Sequence, residues 1–186
     1  MALDLTERVR PTPTVALSSD YTEAMSMLAS GVVMVTSRLD GRPWGMTISA
    51  FASVSDEPPT ILVSLGSGTA SASAILAAGS FGVSVLGRHH GAAARHGSTR
   101  GASKFLERFV DRHSRDSSPA ITGALAHLDC EVTEQISVAD HTIFVGRVRN
   151  VRIAEGGEPL VYFRRAYRAL APCNPSFERR IPCLSS

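Results

Sequence analysis

One stretch of the chain, from Gly31 to Pro59, carries more mutually consistent local signals than any other, GVVMVTSRLDGRPWGMTISAFASVSDEPP. The β-branched run at 32–36 predicts a strand, the Asp40-Gly41 pair predicts a tight turn, and the segment from Trp44 to Ser55 predicts a returning strand. The prolines at 58 and 59 end the pair, because proline cannot donate to a ladder of hydrogen bonds. This stretch therefore predicts an antiparallel hairpin.

The returning strand is rich in small hydroxyl side chains, namely Thr47, Ser49, Ser53 and Ser55. Small side chains let a flat ligand approach the backbone, and hydroxyls can form hydrogen bonds with its polar edge. A barrel strand with small residues on its tighter face explains the same pattern without a ligand. The residues of this strand alone leave both interpretations open.

A second pattern is a glycine loop at 66–68 that runs into an alanine-rich segment ending at Gly79. Thr69 and Ser71 lie where that segment begins, so they predict a capped helix. Free backbone N–H groups and the helix dipole also favour an anion at such a position. Phosphate binding is thus a hypothesis beside simple capping.

The rest of the chain predicts the fold class. A box at Asp20-x-x-Glu23 predicts the start of a helix that Gly31 ends, and the last third alternates as three strands joined by tight turns. Such turns argue against a doubly wound parallel sheet. We expect a mostly β protein with peripheral helices, an antiparallel barrel, with a flexible arm at 1–19, one domain at 20–170 and an irregular tail at 171–186.

Composition and missing motifs exclude several functions. The net charge of +2 is too small to predict nucleic-acid binding, and no apolar run reaches the length of a membrane span. The three cysteines show no CxxC spacing, which favours a cytoplasmic protein, and the histidines show no metal-ligand spacing. The chain has no nucleophile elbow, phosphate-binding P-loop or HExxH motif.

Several ordered blocks resemble the short-chain flavin reductases, the FMN-binding split-barrel reductase components of two-component monooxygenases. The blocks are residues 31–59, the Thr69-Ala70-Ser71 helix start, FGVSVL at 81–86, Ser103-Lys104-Phe105, DHTIFVG at 140–146 and PLVYFRRAYRAL at 159–170. The resemblance implies a homodimer of antiparallel split β-barrels. It also implies hydride transfer from NADH or NADPH to FMN or FAD, with reduced flavin passing to a separate oxygenase.

The resemblance implies a role for individual residues as well. The flavin ring would contact Thr47, Ser49, Ala50 and Ser53, and the flavin phosphate would lie near Thr69, Ser71 and Lys104. The nicotinamide nucleotide would contact His141 and Tyr167. No side chain would act as acid, base or nucleophile, because the flavin supplies the chemistry.

Two departures from the family pattern leave alternatives open. Ala139 stands where the family usually has glycine before Asp-His, and Arg165-Ala166-Tyr167 replaces a glycine-containing version of the last block. A split-barrel protein that binds flavin or haem without catalysis is one alternative. A reductase that acts on another acceptor, such as ferric iron, is a second.

Overall fold

The computed structural model describes residues 15–111 and 118–171 of the chain. Three helices, α1 (Val15–Ser26), α2 (Ala70–Ala78) and α3 (Gly91–Ser98), and one 3₁₀ turn (Arg88–His90) lie around ten strands. The strands are β1 (Ser30–Gly31), β2 (Val33–Leu39), β3 (Arg42–Ile48), β4 (Phe51–Asp56), β5 (Pro59–Gly66), β6 (Ser80–Val85), β7 (Ala126–Val138), β8 (His141–Ile153), β9 (Leu160–Phe163) and β10 (Ala166–Ala169). The predicted mostly β class with peripheral helices is confirmed.

All strand pairs are antiparallel, in one sheet of seven strands and one of three. The larger sheet has the order β3-β2-β6-β7-β8-β5-β4, so its two edge strands are neighbours in sequence. Ile48 ends one edge strand and Phe51 begins the other. A link this short spans about 10 Å. The two edges must therefore approach each other, and the sheet curls into a barrel that is split between β3 and β4.

This closure corrects one prediction. The segment from Trp44 to Ser55 is two strands rather than one, interrupted at Ser49 and Ala50. The first half pairs with β2, whereas the second half pairs with β5 on the opposite edge. Local sequence shows no strong breaker here, since the interruption is required by the closure of the barrel.

The predicted turn of the first hairpin is confirmed. Leu39 pairs with Arg42, and the two residues between them, Asp40 and Gly41, have φ of 51° and 73°. Two left-handed residues in a two-residue loop form the turn that suits the twist of paired strands.

Two apolar clusters pack on opposite faces of β2. Val33 and Val35 point into the barrel with Phe81, whereas Met34 packs with Leu106 beneath α3. When both faces of a strand are covered, its sequence is a continuous run of apolar residues rather than an alternation of apolar and polar ones. The barrel interior and the layer under α3 therefore share one central strand.

The first helix differs from its prediction. It begins at Val15, before the box at Asp20, and it ends at Ser26 rather than at Gly31, which pairs with β9 instead. Residues 1–14 and 172–186 lie outside the described ranges, so the arm at 1–19 and the tail at 171–186 stay predictions. Among the helices of the described residues, none combines the length and the apolar character needed to cross a bilayer.

Candidate functional site

A cavity of about 460 Å³ opens between the end of β3, the end of α3 and the β9–β10 hairpin. Its volume lies within the roughly 300–1,000 Å³ of ligand-binding pockets. The polar side chains on its wall are Thr47, Ser49, Ser98, Tyr162, Arg165 and Tyr167. Val32 and Ile48 complete the lining.

The β3 wall is held against α3 by a close helix–strand contact. Thr47 Oγ1 donates a hydrogen bond to the Ala94 carbonyl of α3 at 2.9 Å, so its lone pairs remain able to accept one. A Cβ atom on Gly97 would lie 2.3 Å from the same hydroxyl oxygen. Glycine at 97 therefore lets the helix approach the strand and fixes where Thr47 lies.

The opposite wall is the β9–β10 hairpin. The rings of Tyr162 and Tyr167 meet edge to face with centroids 5.8 Å apart, and the Tyr167 hydroxyl donates to Ser98 Oγ at 3.4 Å. The turn between the strands consists of Arg164 and Arg165, with φ of 47° and 59°. This turn directs the Arg165 side chain to the cavity wall.

A second group of predicted residues lies at the start of α2. Thr69 caps the helix, because its Oγ1 accepts from the Ala72 N–H at 3.2 Å. Ser71 is only 4% exposed, and its Oγ accepts from Trp44 Nε1 at 3.0 Å. The two hydroxyls therefore have different surroundings: Thr69 reaches the surface, and Ser71 joins α2 to β3 inside the fold.

His141 lies beside this helix start and not on the cavity wall. It pairs in register with Gly66, and the Ser67 N–H donates to the Asp140 carbonyl at 2.9 Å. His141 Nδ1–H donates to Asp140 Oδ1 at 2.8 Å, and this hydrogen bond holds the pKa of Asp140 below its usual value. Ala139 has a φ of 51°, so alanine adopts the left-handed conformation that glycine favours in the turn before His141.

The remaining predicted residues are more dispersed. Ala50 is exposed, and its carbonyl accepts from the Ser64 N–H of β5 at 3.0 Å. Ser53 is exposed on the edge strand β4. Lys104 Nζ donates to the Thr99 carbonyl at 2.6 Å, and partial burial lowers the pKa of this lysine.

The structure thus forms two groups from the predicted set. Thr47, Ser49 and Tyr167 share the cavity, whereas Thr69 and His141 meet at one end of the barrel. Sequence reasoning missed Ser98, which carries no motif. It also missed Tyr162 and Arg165 as wall residues, although both belong to the C-terminal block.

One buried cluster contains the serine, histidine and aspartate of a hydrolase triad, but a substrate cannot reach its serine. Ser84 Oγ lies 2.9 Å from His127 Nδ1, and His127 Nε2 lies 3.4 Å from Asp129 Oδ1. Ser84 is 0% exposed and its Oγ accepts from the Ile121 N–H at 3.0 Å, while burial lowers the pKa of His127. These groups hold the 118–121 segment and cannot reach a substrate.

Within residues 15–111 and 118–171, no three histidine, cysteine or acidic side chains are grouped so that they could hold an ion. The arrangement of the cavity instead suits a planar organic ligand between a hydroxyl-bearing strand end and a pair of tyrosines.

The chain is similar to proteins of one characterised family. The family model described as "Flavin reductase like domain" matches residues 25–171. A reductase component of a 4-nitrophenol 4-monooxygenase/4-nitrocatechol 2-monooxygenase from Rhodococcus opacus is 36% identical over 154 residues, which cover 83% of this chain and 82% of that protein. The FMN reductase (NADH) of Methylorubrum populi is 36% identical over 156 residues, covering 82% and 76%.

Solved structures agree with the sequence comparison. The NADH:FAD oxidoreductase of Streptomyces globisporus, in complex with NAD and FAD fragments, is 30% identical with a TM-score of 0.77 and covers 88% of this chain and 98% of its own. The flavin reductase component of a bacterial two-component tryptophan halogenase is 34% identical with a TM-score of 0.75, covering 82% and 98%.

Proposed function

Because this chain belongs to the flavin reductase family, we propose that it is an NAD(P)H-dependent flavin reductase that supplies reduced flavin to a partner monooxygenase. The observation that carries the proposal is the cavity between the end of β3 and the β9–β10 hairpin. Among the described residues, its wall has hydroxyl and aromatic side chains and one arginine, and it carries no carboxylate, imidazole or thiol that could act as acid, base or nucleophile. Such a wall fits a bound cofactor that performs the chemistry itself.

The residues present fit a flavin. Thr47 keeps acceptor capacity, and the exposed Ser49 hydroxyl can donate or accept, so both suit the mixed polar edge of an isoalloxazine ring. A bound flavin would supply the acceptor for the hydride that the reduced nicotinamide gives up. The chain's own contribution would be to hold both ligands between the β3 wall and Tyr167, and to exclude water from the cavity.

The flavin phosphate belongs, in this proposal, at the start of α2. Thr69 caps that helix, and Ala50, next to the cavity residue Ser49, accepts a hydrogen bond from Ser64 on β5, the strand before the helix. The free N–H groups and the positive end of the helix dipole favour a phosphate there. The proposed role of Lys104 is a charge at longer range, since its ammonium group is already bonded to the Thr99 carbonyl.

The test of the proposed function is an assay with purified protein, NADH or NADPH, and excess FMN or FAD. We expect the absorbance of the reduced nicotinamide to fall at a rate that depends on both the nucleotide and the flavin. Running all four pairs identifies the preferred flavin and the preferred nucleotide. The absence of turnover with every pair would exclude the proposal.

A binding protein without reductase activity is the second candidate, and the observation that favours it is the turn before His141. Ala139 occupies a left-handed position at a cost of about 1 kcal/mol relative to glycine. A carrier of flavin or haem would bind its ligand and leave NADH unconsumed. Bleaching of the bound flavin by NADH in a stopped-flow experiment would exclude this candidate.

His141 is assigned to the nicotinamide nucleotide in this proposal, and its replacement by alanine tests the assignment. We expect His141→Ala to raise the KM for the nucleotide about tenfold while the KM for flavin changes less than about twofold, since one hydrogen bond to a charged group contributes about 1.5–3 kcal/mol. His89→Ala is the control, because His89 is also exposed but lies before α3. An equal rise in both KM values would contradict the assignment.

We further propose a cytoplasmic homodimer. The apolar side chains of Tyr21 and Met25 lie one turn apart on α1 and are 64% and 48% exposed, and Leu28 beyond the helix is 62% exposed. Exposed apolar surface of this kind is typical of a protein interface. Light scattering would give twice the chain mass of 19.8 kDa, and a mass equal to one chain would exclude the dimer.

A further inference from the structure

Arg165 provides the charge of the cavity. Of the eight described residues that line it, Arg165 alone carries a formal charge, and the others are hydroxyl, aromatic or aliphatic. A guanidinium stays protonated at every physiological pH and presents a planar set of donors that matches phosphate. The cavity therefore combines a neutral wall for rings with one site for an anion at its rim.

The backbone at Arg165 supports a specific role for this side chain. Its φ is 59°, in the left-handed region that glycine occupies readily and that other L-residues occupy at a cost of roughly 1–2 kcal/mol. Arg164 beside it has the same conformation, with a φ of 47°. The turn thus has arginine at a position where glycine would be less strained. Compared with glycine, arginine adds only its side chain at this position.

The guanidinium of Arg165 has one weak ionic contact among the described residues. Its described ionic partner is Glu23 on α1 at 3.6 Å, and the two side chains are 60% and 62% exposed. Exposed pairs of this kind contribute at most about 1 kcal/mol. An incoming phosphate oxygen can therefore displace Glu23 at small cost.

The position of Arg165 indicates which ligand it meets. It lies on the same hairpin as Tyr167, across the cavity from Thr47 and Ser49. The flavin phosphate in the proposed function lies at the start of α2, away from this hairpin. In the proposed function, the nicotinamide nucleotide would be the second ligand of this cavity and would lie against the tyrosine wall.

From these observations we infer that Arg165 binds a phosphate of the nicotinamide dinucleotide and sets the affinity of the cavity for that substrate. The inference rests on the proposed function for the identity of the ligand. The phosphate has two sources, the pyrophosphate that NADH and NADPH share and the 2′-phosphate that NADPH alone carries. If a substitution of Arg165 weakens the binding of both dinucleotides, Arg165 contacts the pyrophosphate. If it weakens the binding of NADPH alone, Arg165 contacts the 2′-phosphate.

The neighbouring arginine supplies a matched control. Arg164 has the same residue type and the same left-handed conformation, but its guanidinium lies 5.6 Å from the Phe163 ring centroid. Arg164 lines a second cavity with Glu23 and Met27, which Arg165 also borders, and it does not line the first. Its backbone N–H donates to the Ser26 carbonyl at 2.8 Å, a bond that a side-chain change retains. Arg164→Gln therefore removes one charge from the same turn without altering the wall of the first cavity.

The kinetic test compares Arg165→Gln, Arg165→Lys and Arg164→Gln with NADH, NADPH and reduced nicotinamide riboside, which has no phosphate. We expect Arg165→Gln to raise the KM for at least one dinucleotide about tenfold with kcat nearly unchanged, and to leave the KM for the riboside unaltered. Arg165→Lys should recover part of the loss, because it keeps the charge but not the fork of donors. Arg164→Gln should behave as the unchanged protein.

A binding measurement separates this inference from the proposed function. Calorimetry with NAD⁺, NADP⁺ and nicotinamide riboside needs no turnover, and Arg165→Gln should weaken the binding of a dinucleotide but not of the riboside. A protein without reductase activity that shows this pattern would refute the proposed function and retain the inference. The inference would be overturned if Arg165→Gln and the unchanged protein bound NAD⁺ and NADP⁺ with equal affinity. It would also be overturned if Arg165→Gln kept these affinities but bound FMN more weakly relative to riboflavin.

Discussion

Replacing Phe81 with alanine is expected to lower the free energy of unfolding by about 3–5 kcal/mol, the largest stability effect we predict for a single change. Phe81 is fully buried in the barrel cluster, and it packs so closely on β8 that a Cβ atom on Gly146 would lie 2.5 Å from its ring. The deletion removes apolar area from the core and leaves a cavity that a closed barrel cannot collapse to fill. Urea unfolding of the flavin-free protein, followed by circular dichroism, measures the change.

Leu76→Ala is the matched control for this prediction. Leu76 lies on α2 and is 50% exposed, so its removal should change the free energy of unfolding by no more than about 0.5 kcal/mol. Similar losses in the two variants would show that the Phe81 site does not have the close packing described above.

Replacing Ser49 with leucine is expected to raise the dissociation constant for flavin about tenfold or more. Ser49 is exposed at the end of β3 and lines the cavity, so a leucine side chain would enter the space assigned to the ring. Crowding a packed site typically costs about 1–3 kcal/mol, and about 1.4 kcal/mol corresponds to a factor of ten. Titration of flavin fluorescence with each protein gives the two constants directly.

The control for Ser49→Leu adds the same side chain elsewhere. Thr133 is exposed on β7, outside the set of residues that line the cavity, and Thr133→Leu should retain the flavin affinity of the unchanged protein. Unaltered flavin affinity in Ser49→Leu, with both variants folded, would move the flavin site away from this cavity.

Local sequence signals were sufficient where the structure depends on near neighbours. The Asp40-Gly41 pair predicted a two-residue turn, and the hydroxyl at Thr69 with the glycine at 79 predicted both ends of α2, as the structure has them. In each case the outcome depends on φ preferences and hydrogen bonds within a few residues. The prediction that the box at Asp20 starts a helix was wrong, because α1 begins five residues earlier.

Long-range contacts decided the features that local signals left open. The chain breaks at Ser49 and Ala50 because β3 and β4 occupy opposite edges of one curled sheet, a fact of strand order that no window of sequence contains. The hydroxyl of Ser71, for which the sequence left capping and phosphate binding open, accepts a hydrogen bond from Trp44 Nε1 across the fold. His141 and Tyr167, assigned together to the nucleotide, lie in separate groups within the chain.

The sequence by itself determined that this is an antiparallel β protein of the flavin reductase family. The alternation of apolar and polar residues, the turn residues and the order of the motifs are all properties of the sequence. Tertiary structure alone decided which hydroxyls of the hairpin line the cavity, and that Arg165 lies across the cavity from Thr47 and Ser49. The physical reason is that a binding cavity depends on the relative positions of elements far apart in sequence. Packing of the barrel, α3 and the β9–β10 hairpin fixes those positions.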